Sequence, residues 1–275
     1  MSSDGTESWR VRILGRDVSL ARLPAVTKMV VMASLRAFLI FERPWTVLSC
    51  YFRKRPMEGP IRLRGGGTLS VSSYGEDIVS VVVVFCKEEY GTDFAGKTVL
   101  DIGANIGTLA VLACRHGCRR LVAVEPSPEA YGVLVQNLTE NGFADKSVAI
   151  HAAVCGTACG PVPFAVASSP LNSLAAAVNP EGRAVVNVPS LTLGELLSEH
   201  FGDELDLLKM DCEGAEVEIV GQASEADLRR IREIRMEFHG PDIELTLQRL
   251  MGVGFRVVVY DRAGPLNATL WLRRD

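Results

Sequence analysis

The sequence predicts an α/β protein built on one mostly parallel sheet, and three observations carry that prediction. Residues 98–109 form a short apolar run that ends in Asp101, passes a turn punctuated by Gly103 and Gly107, and continues into a helical pattern. Strand, tight turn and helix in that order open a nucleotide-binding sheet; glycine suits such a turn because it tolerates φ > 0 and lets a ligand approach the backbone. Further apolar runs of strand length then alternate with helical patterns as far as residue 260. Finally, the link 261–268, which contains Gly264 and Pro265, is too short for a crossover helix, so the last two strands must pair antiparallel.

The 275 residues suffice for one large domain, or one domain with an N-terminal extension. Apolar residues make up 48%, enough for a substantial core, and the net charge of −4 leaves no basic excess for a dedicated nucleic-acid binder. Seven scattered cysteines read as reduced thiols of an intracellular protein. The pairs Cys114/Cys118 and Cys155/Cys159 lack zinc-knuckle spacing and read as structural thiols. Asp4 and Glu7 in the polar start argue against a signal peptide, and the apolar stretch 29–41 is too short to span a bilayer and holds Arg36. A cytoplasmic protein without stable membrane insertion is expected.

In chain order, residues 1–23 read as a loose terminus, 24–41 as a helix and 45–52 as a second short helix. The basic cluster Arg53, Lys54 and Arg55 reads as a solvated surface, or as an attractor of an acidic partner. Residues 1–60 are accordingly expected to form a helical extension that caps a pocket or makes a homodimer contact, ahead of the domain 61–275. Residues 61–64 and 68–71, joined by Gly65, Gly66 and Gly67, predict a hairpin. The segment 78–86 fits helix and strand templates equally; its position favours helix, and 61–90 as a whole leads into the core 91–275.

Strands are expected at 98–102, 121–125, 148–155, 205–210, 231–238, 255–260 and 269–273, with an inserted short strand at 161–166. Helices are expected from Leu109, at 128–141 with Ser127 as cap, at 191–200 with a capping box of Thr192 and Glu195, at 215–222 and at 243–251. The polar loop 168–173 is expected to line or cover an acceptor pocket.

The turn decides among nucleotides. No lysine follows Gly107, which excludes a phosphate loop. Gly103-x-x-x-Gly107 also lacks the middle glycine with which a dinucleotide fold reaches pyrophosphate. S-adenosylmethionine, which has no phosphate, fits better. Asp101 is expected near its amino group, the backbone around Gly103 and Asn105 along its amino-acid portion, and Glu125 on both ribose hydroxyls.

Five segments in order carry a resemblance. They are Asp101-Ile102-Gly103-Ala104-Asn105-Ile106-Gly107, Glu125-Pro126, Ala152-Ala153-Val154, the stretch 208–216 with Asp211, Glu213 and Glu216, and Glu237-Phe238-His239. Together they resemble FkbM-type methyltransferases, within the class I S-adenosylmethionine-dependent enzymes. Cys212 departs from that pattern, where an apolar β-branched residue is usual. The resemblance implies a Rossmann-like fold with a seven-stranded, mostly parallel sheet and an antiparallel C-terminal strand. It also implies S-adenosylmethionine as cofactor, with Ala104, Gly107, Pro126, Ala153 and Asp211 joining the residues above in binding it. O-methylation of a natural-product or sugar intermediate is the implied activity. The alternatives are N-methylation of a similar acceptor, or a non-catalytic binding module on the same fold.

Catalytic candidates sit at the carboxyl ends of the central strands, where open sheets bind ligands. Asp211 and Glu213 follow one strand, and Glu237 and His239 end its neighbour; i, i+2 spacing directs each pair to one face while the chain stays extended. His239 is the expected base, since its ordinary pKa lies near neutrality. Asp211, Glu213, Glu237 and His239 are also the expected ligands if a divalent metal such as magnesium takes part. Glu213 alternatively caps the next helix.

Overall fold

The structure is a computed structural model that describes residues 10–13, 16–19, 25–72, 77–157, 160–166, 184–262 and 266–274. At its centre is a seven-stranded sheet in the order β6-β7-β5-β4-β1-β2-β3. The strands are β1 (Thr98–Ile102), β2 (Arg120–Val124), β3 (Ser147–Ile150), β4 (Leu205–Met210), β5 (Ile231–His239), β6 (Phe255–Arg262) and β7 (Asn267–Arg274). The first five run parallel, whereas β7 lies between β5 and β6 and pairs antiparallel with both. The order reverses between β1 and β4, which opens a crevice beyond their carboxyl ends.

Successive residues of the central strands face opposite layers, and both layers are covered. Val99, Leu121, Ala123 and Leu207 pack towards α4 (Thr108–Arg115) and α5 (Pro128–Glu140). The same apolar cluster takes in Ala33 and Ala37 of α1 (Ala25–Ile40) and Val47 and Leu48 of α2 (Pro44–Arg53). On the other face Leu100, Ile102, Leu208 and Met210 pack against α6 (Leu193–His200), α7 (Glu216–Gln222) and α9 (Ile243–Gly252). Burial on both faces explains why these strands read as continuous apolar runs.

The ambiguous segment 78–86 is helical: α3 (Asp77–Val82) passes into a π-helical turn at Val83–Lys87, and Glu88 closes it in the left-handed region at φ 56°. The predicted capping box on α6 is present, Thr192 and Glu195 exchanging bonds. Ser127 stands at the N-cap position of α5 without making a side-chain cap bond. Three other features depart from expectation. Residues 10–19 contain an antiparallel ribbon of Arg10–Ile13 and Arg16–Ser19. The predicted strand 148–155 is broken; Ser147–Ile150 stays in the sheet, while Ala153–Val154 pairs with Ser190–Leu191. The break falls at His151, whose Nε2 donates to the Pro126 carbonyl at 3.0 Å and whose ring stacks on Tyr131, drawing the chain off the edge. A short helix α8 (Glu225–Arg229), capped by Ser224, was not legible. The inserted strand Val162–Val166 pairs with Ala184–Val188, and the polar loop 168–173 lies outside the described residues.

Candidate active site

The glycine turn has a structural cause before it has a ligand. Gly103 adopts φ +74°, and a Cβ there would collide with the main-chain carbonyl of Asp211. Gly107, at φ +81°, stands against Leu134 of α5, so its missing side chain permits helix packing. Asn105 between them is also left-handed, at φ 50°. The Gly103 and Ala104 N–H groups both donate to the Val124 carbonyl, at 3.0 and 3.1 Å. Ala104 and Gly107 therefore build the turn, and neither lines the cavity beside it.

That cavity, about 700 Å³ with the part open to solvent, is lined by Gly103, Asn105, Glu125, Pro126, Ala153, Asp211 and Glu213. Phe164, from the inserted strand, adds a buried aromatic wall that no sequence motif singles out. Glu125 is the best-defined polar group. Its two carboxylate oxygens accept the Asn105 and Ser127 N–H groups, each at 2.8 Å, and burial pushes its pKa up to about 7 against these bonds. Each oxygen keeps a lone pair, and Glu125 lines the cavity, so a pair of vicinal hydroxyls has an acceptor there.

Asp101 is not where the sequence led us to expect it. Its carboxylate is fully buried outside the cavity lining and pairs with Lys209 at 3.1 Å. Lys209 is almost as deeply buried; it donates to the Gly103 carbonyl at 2.7 Å and lies over the Tyr90 ring at 5.4 Å. Burial opposes the charge on Lys209, but Asp101 and Asp211 more than offset it and raise its pKa. The pair thus fastens the turn to β4 from beneath. Register on the parallel sheet, Lys209 opposite Asp101, creates it.

At the carboxyl edge, Asp211, Glu237 and His239 each place a ligand-type atom within 4.8 Å of the others. Glu237 and His239 share a face because β5 is extended through His239, as expected. The Asp211/Glu213 pair comes together differently. The chain leaves β4 at Met210 and turns left-handed at Glu213, φ 53°, so strand alternation is not the cause. Glu213 reaches His239 Nε2 at 3.9 Å and Glu237 reaches it at 3.5 Å, while Glu216 stands 3.7 Å from Nδ1. The residue that holds this turn is Glu216, not Glu213. Fully buried, Glu216 accepts the Cys212 and Gly214 N–H groups at 2.5 and 2.9 Å.

Electrostatics follow from this crowding. Burial opposes the charge on His239, yet Glu216, Glu237 and Glu213 push its pKa up to about 11, so the ring is an imidazolium at neutrality and not the free base expected from its ordinary value. Burial raises Glu213 to about 7 and also raises Asp211, partly countered by Lys209. The His239 ring, 3.5 Å away, lowers Glu237. Two residues that the sequence reading passed over complete the edge. The buried Tyr90 hydroxyl donates to Asp211 Oδ2 at 3.1 Å, and Glu89 accepts from Thr269 at 2.9 Å. Both follow the π-helical turn, a feature that often marks functional sites. Their only sequence signal was proximity to β1.

Residues 101–257, more than half of the chain, match the methyltransferase FkbM domain. The chain belongs to the FkbM methyltransferase family. Membership implies S-adenosylmethionine as the methyl donor. Among curated relatives, the methyltransferase sdnD of Sordaria araneosa is 28% identical over 175 residues, covering 52% of this chain and 66% of that protein. The ribosomal protein L11 methyltransferase of Alteromonas mediterranea is 41% identical over 56 residues, 20% of this chain and 19% of the relative. That of Aliivibrio fischeri is 27% identical over 124 residues, 42% of each. The chain thus spans less than half the length of these two relatives. A solved structure of a putative RNA methyltransferase from Pyrococcus horikoshii is 15% identical, with a TM-score of 0.42 over 73% of this chain and 84% of that one.

His116 and the buried cysteines of this FkbM-family chain lie outside the cavity lining. The His116 ring meets the Thr92 carbonyl at 2.9 Å at the C-terminus of α4. Cys114 and Cys118 are buried thiols with sulfurs 3.6 Å apart, and Cys159 lies outside the described residues. No helix among the described residues is long and apolar enough to cross a membrane.

Proposed function

We propose that the protein transfers the methyl group of S-adenosylmethionine to a hydroxyl of a small molecule, a natural-product or sugar intermediate. One observation carries this reading: the cavity that Glu125 lines is also lined by Asp211 and Glu213. A donor seated on Glu125 therefore shares its space with acidic groups. Methyl transfer is an in-line displacement at a carbon that the sulfonium already activates, so alignment supplies most of the acceleration, on the order of 7–11 kcal/mol. What remains is removal of the acceptor's proton, typically worth about 10²–10⁴-fold. A carboxylate of the Asp211, Glu213 and Glu237 group takes that proton, and His239 as an imidazolium holds those carboxylates together. Tyr90 orients Asp211.

A divalent cation is the second reading, favoured by the ligand atoms of Asp211, Glu237 and His239 lying within 4.8 Å of one another. Two oxygens and one imidazole nitrogen suit manganese, iron(II) or zinc better than magnesium. Such an ion would displace the imidazolium proton and acidify an acceptor hydroxyl.

Calorimetric titration with S-adenosylmethionine and S-adenosylhomocysteine tests the donor. Failure of a folded sample to bind either ligand would sink the proposal. Screening hydroxyl and amine acceptors with labelled donor then separates O- from N-methylation.

A further inference from the structure

The α1–α2 hairpin presents an unusual surface. Met29, Val30, Leu39, Trp45 and Phe52 are exposed, Leu39 and Trp45 by 76% and 73%. Helix α1 is apolar around most of its circumference, a pattern that ordinarily belongs to a helix covered on all sides. Only Ala33 and Ala37 of its described side chains are fully buried. Between α1, α2 and α3 runs an open groove of about 900 Å³, with Met29, Val30 and Phe52 among its lining and Lys54 and Lys87 at its edge.

Charge identifies the occupant. Residues 25–64 hold eight lysines and arginines against two acidic residues, in a chain whose net charge is −4. Lys28, Arg43, Arg53, Lys54 and Arg55 are all exposed and flank the apolar side chains at both ends of the hairpin. A symmetric dimer through this face would set that positive surface against itself, because an isologous contact apposes identical patches. An anionic partner complements this charge. Exposed aliphatic and indole groups interleaved with basic residues match a lipid surface, where the apolar groups enter the headgroup boundary and the cations meet anionic headgroups. We propose that the α1–α2 hairpin docks the protein reversibly on an anionic lipid surface.

Co-sedimentation of the full-length protein with phosphatidylcholine vesicles, with and without phosphatidylglycerol, tests this. Binding is expected to the phosphatidylglycerol vesicles at low salt and to fall steeply as salt shortens the screening length from ~30 Å at 0.01 M towards ~8 Å at 0.15 M. The triple variant Arg53→Glu, Lys54→Glu, Arg55→Glu should bind about a hundredfold more weakly. Leu39→Ser with Trp45→Ser should weaken binding at least tenfold, and both variants should keep the wild-type circular dichroism spectrum. The proposal is overturned if folded wild type ignores phosphatidylglycerol vesicles at low salt. It is equally overturned if the serine variant binds as well as wild type, or if ultracentrifugation finds a dimer that the serine variant dissociates.

Discussion

The main-chain carbonyl of Asp211 occupies the space that a Cβ on Gly103 would need, so the donor turn after β1 and the acidic edge after β4 touch through their backbones. The Asp211 N–H also donates to the Ile102 carbonyl at 3.2 Å. Displacing either side moves the other. Gly103→Ala should therefore destabilise the fold by about 3 kcal/mol, from strain at positive φ and the backbone collision. It should also weaken donor binding. Denaturant midpoints and calorimetry check the two effects, and a stable variant with unchanged affinity would refute the coupling.

Glu125→Ala should weaken S-adenosylmethionine binding tenfold or more, since it removes an acceptor and leaves two backbone N–H groups unpaired, at about 1–3 kcal/mol each. Its pH dependence has a definite sign. Burial raises this carboxyl from 4.5 to about 7 in the fold. Its contribution to stability is thus fully present below pH 4.5 and lost as pH rises through 7, on the order of 3 kcal/mol. Donor hydroxyls favour the ionised form, so affinity should rise over the same range. Melting curves and titrations at several pH values test both slopes.

Lys209→Met should cost about 3–5 kcal/mol, because it strands the Asp101 carboxylate in the core. Adding Asp101→Asn should recover part of the loss. If Asp101→Asn alone abolished donor binding without destabilising the protein, Asp101 would be a ligand contact after all.

His239→Gln should spare donor binding and slow turnover. The wild-type imidazole has its pKa raised from 6.5 to about 11, so its stabilising effect is fully present below pH 6.5 and declines as pH rises through 11. The stability difference between wild type and variant should shrink across that window. Equal pH profiles for the two proteins would show that the carboxylates do not hold the ring charged.

Dialysis against EDTA distinguishes the two proton-removal schemes. Loss of turnover that manganese restores supports the cation at Asp211, Glu237 and His239. Unchanged turnover, with added metal ineffective, leaves the carboxylates as sole acceptors.

Most of the fold was legible because burial on both faces writes itself into long apolar runs, and the short link before β7 left antiparallel pairing as its only solution. The Thr192/Glu195 cap was legible for a similar reason: its partners are three residues apart. That Glu125 lines the cavity could be read from its place just after β2. Asp101 could not be told from a ligand contact, because its partner Lys209 lies over a hundred residues away and meets it only through sheet register. Tyr90 escapes notice for the same reason, its partner Asp211 lying 121 residues away, whereas Glu216 bonds to Cys212 and Gly214 close by in the chain and only the left-handed turn at Glu213 brings it to them.

The sequence by itself determined the sheet, its terminal antiparallel strand, the donor turn and the family, all of which rest on local periodicity and contiguous motifs. Tertiary structure alone decided that Gly103 answers to Asp211, that Lys209 pairs with Asp101 and that carboxylates of Glu213, Glu216 and Glu237 gather around His239 and raise its pKa. Those outcomes depend on distances between strands and on the sum of nearby charges, and neither quantity exists until the chain has folded.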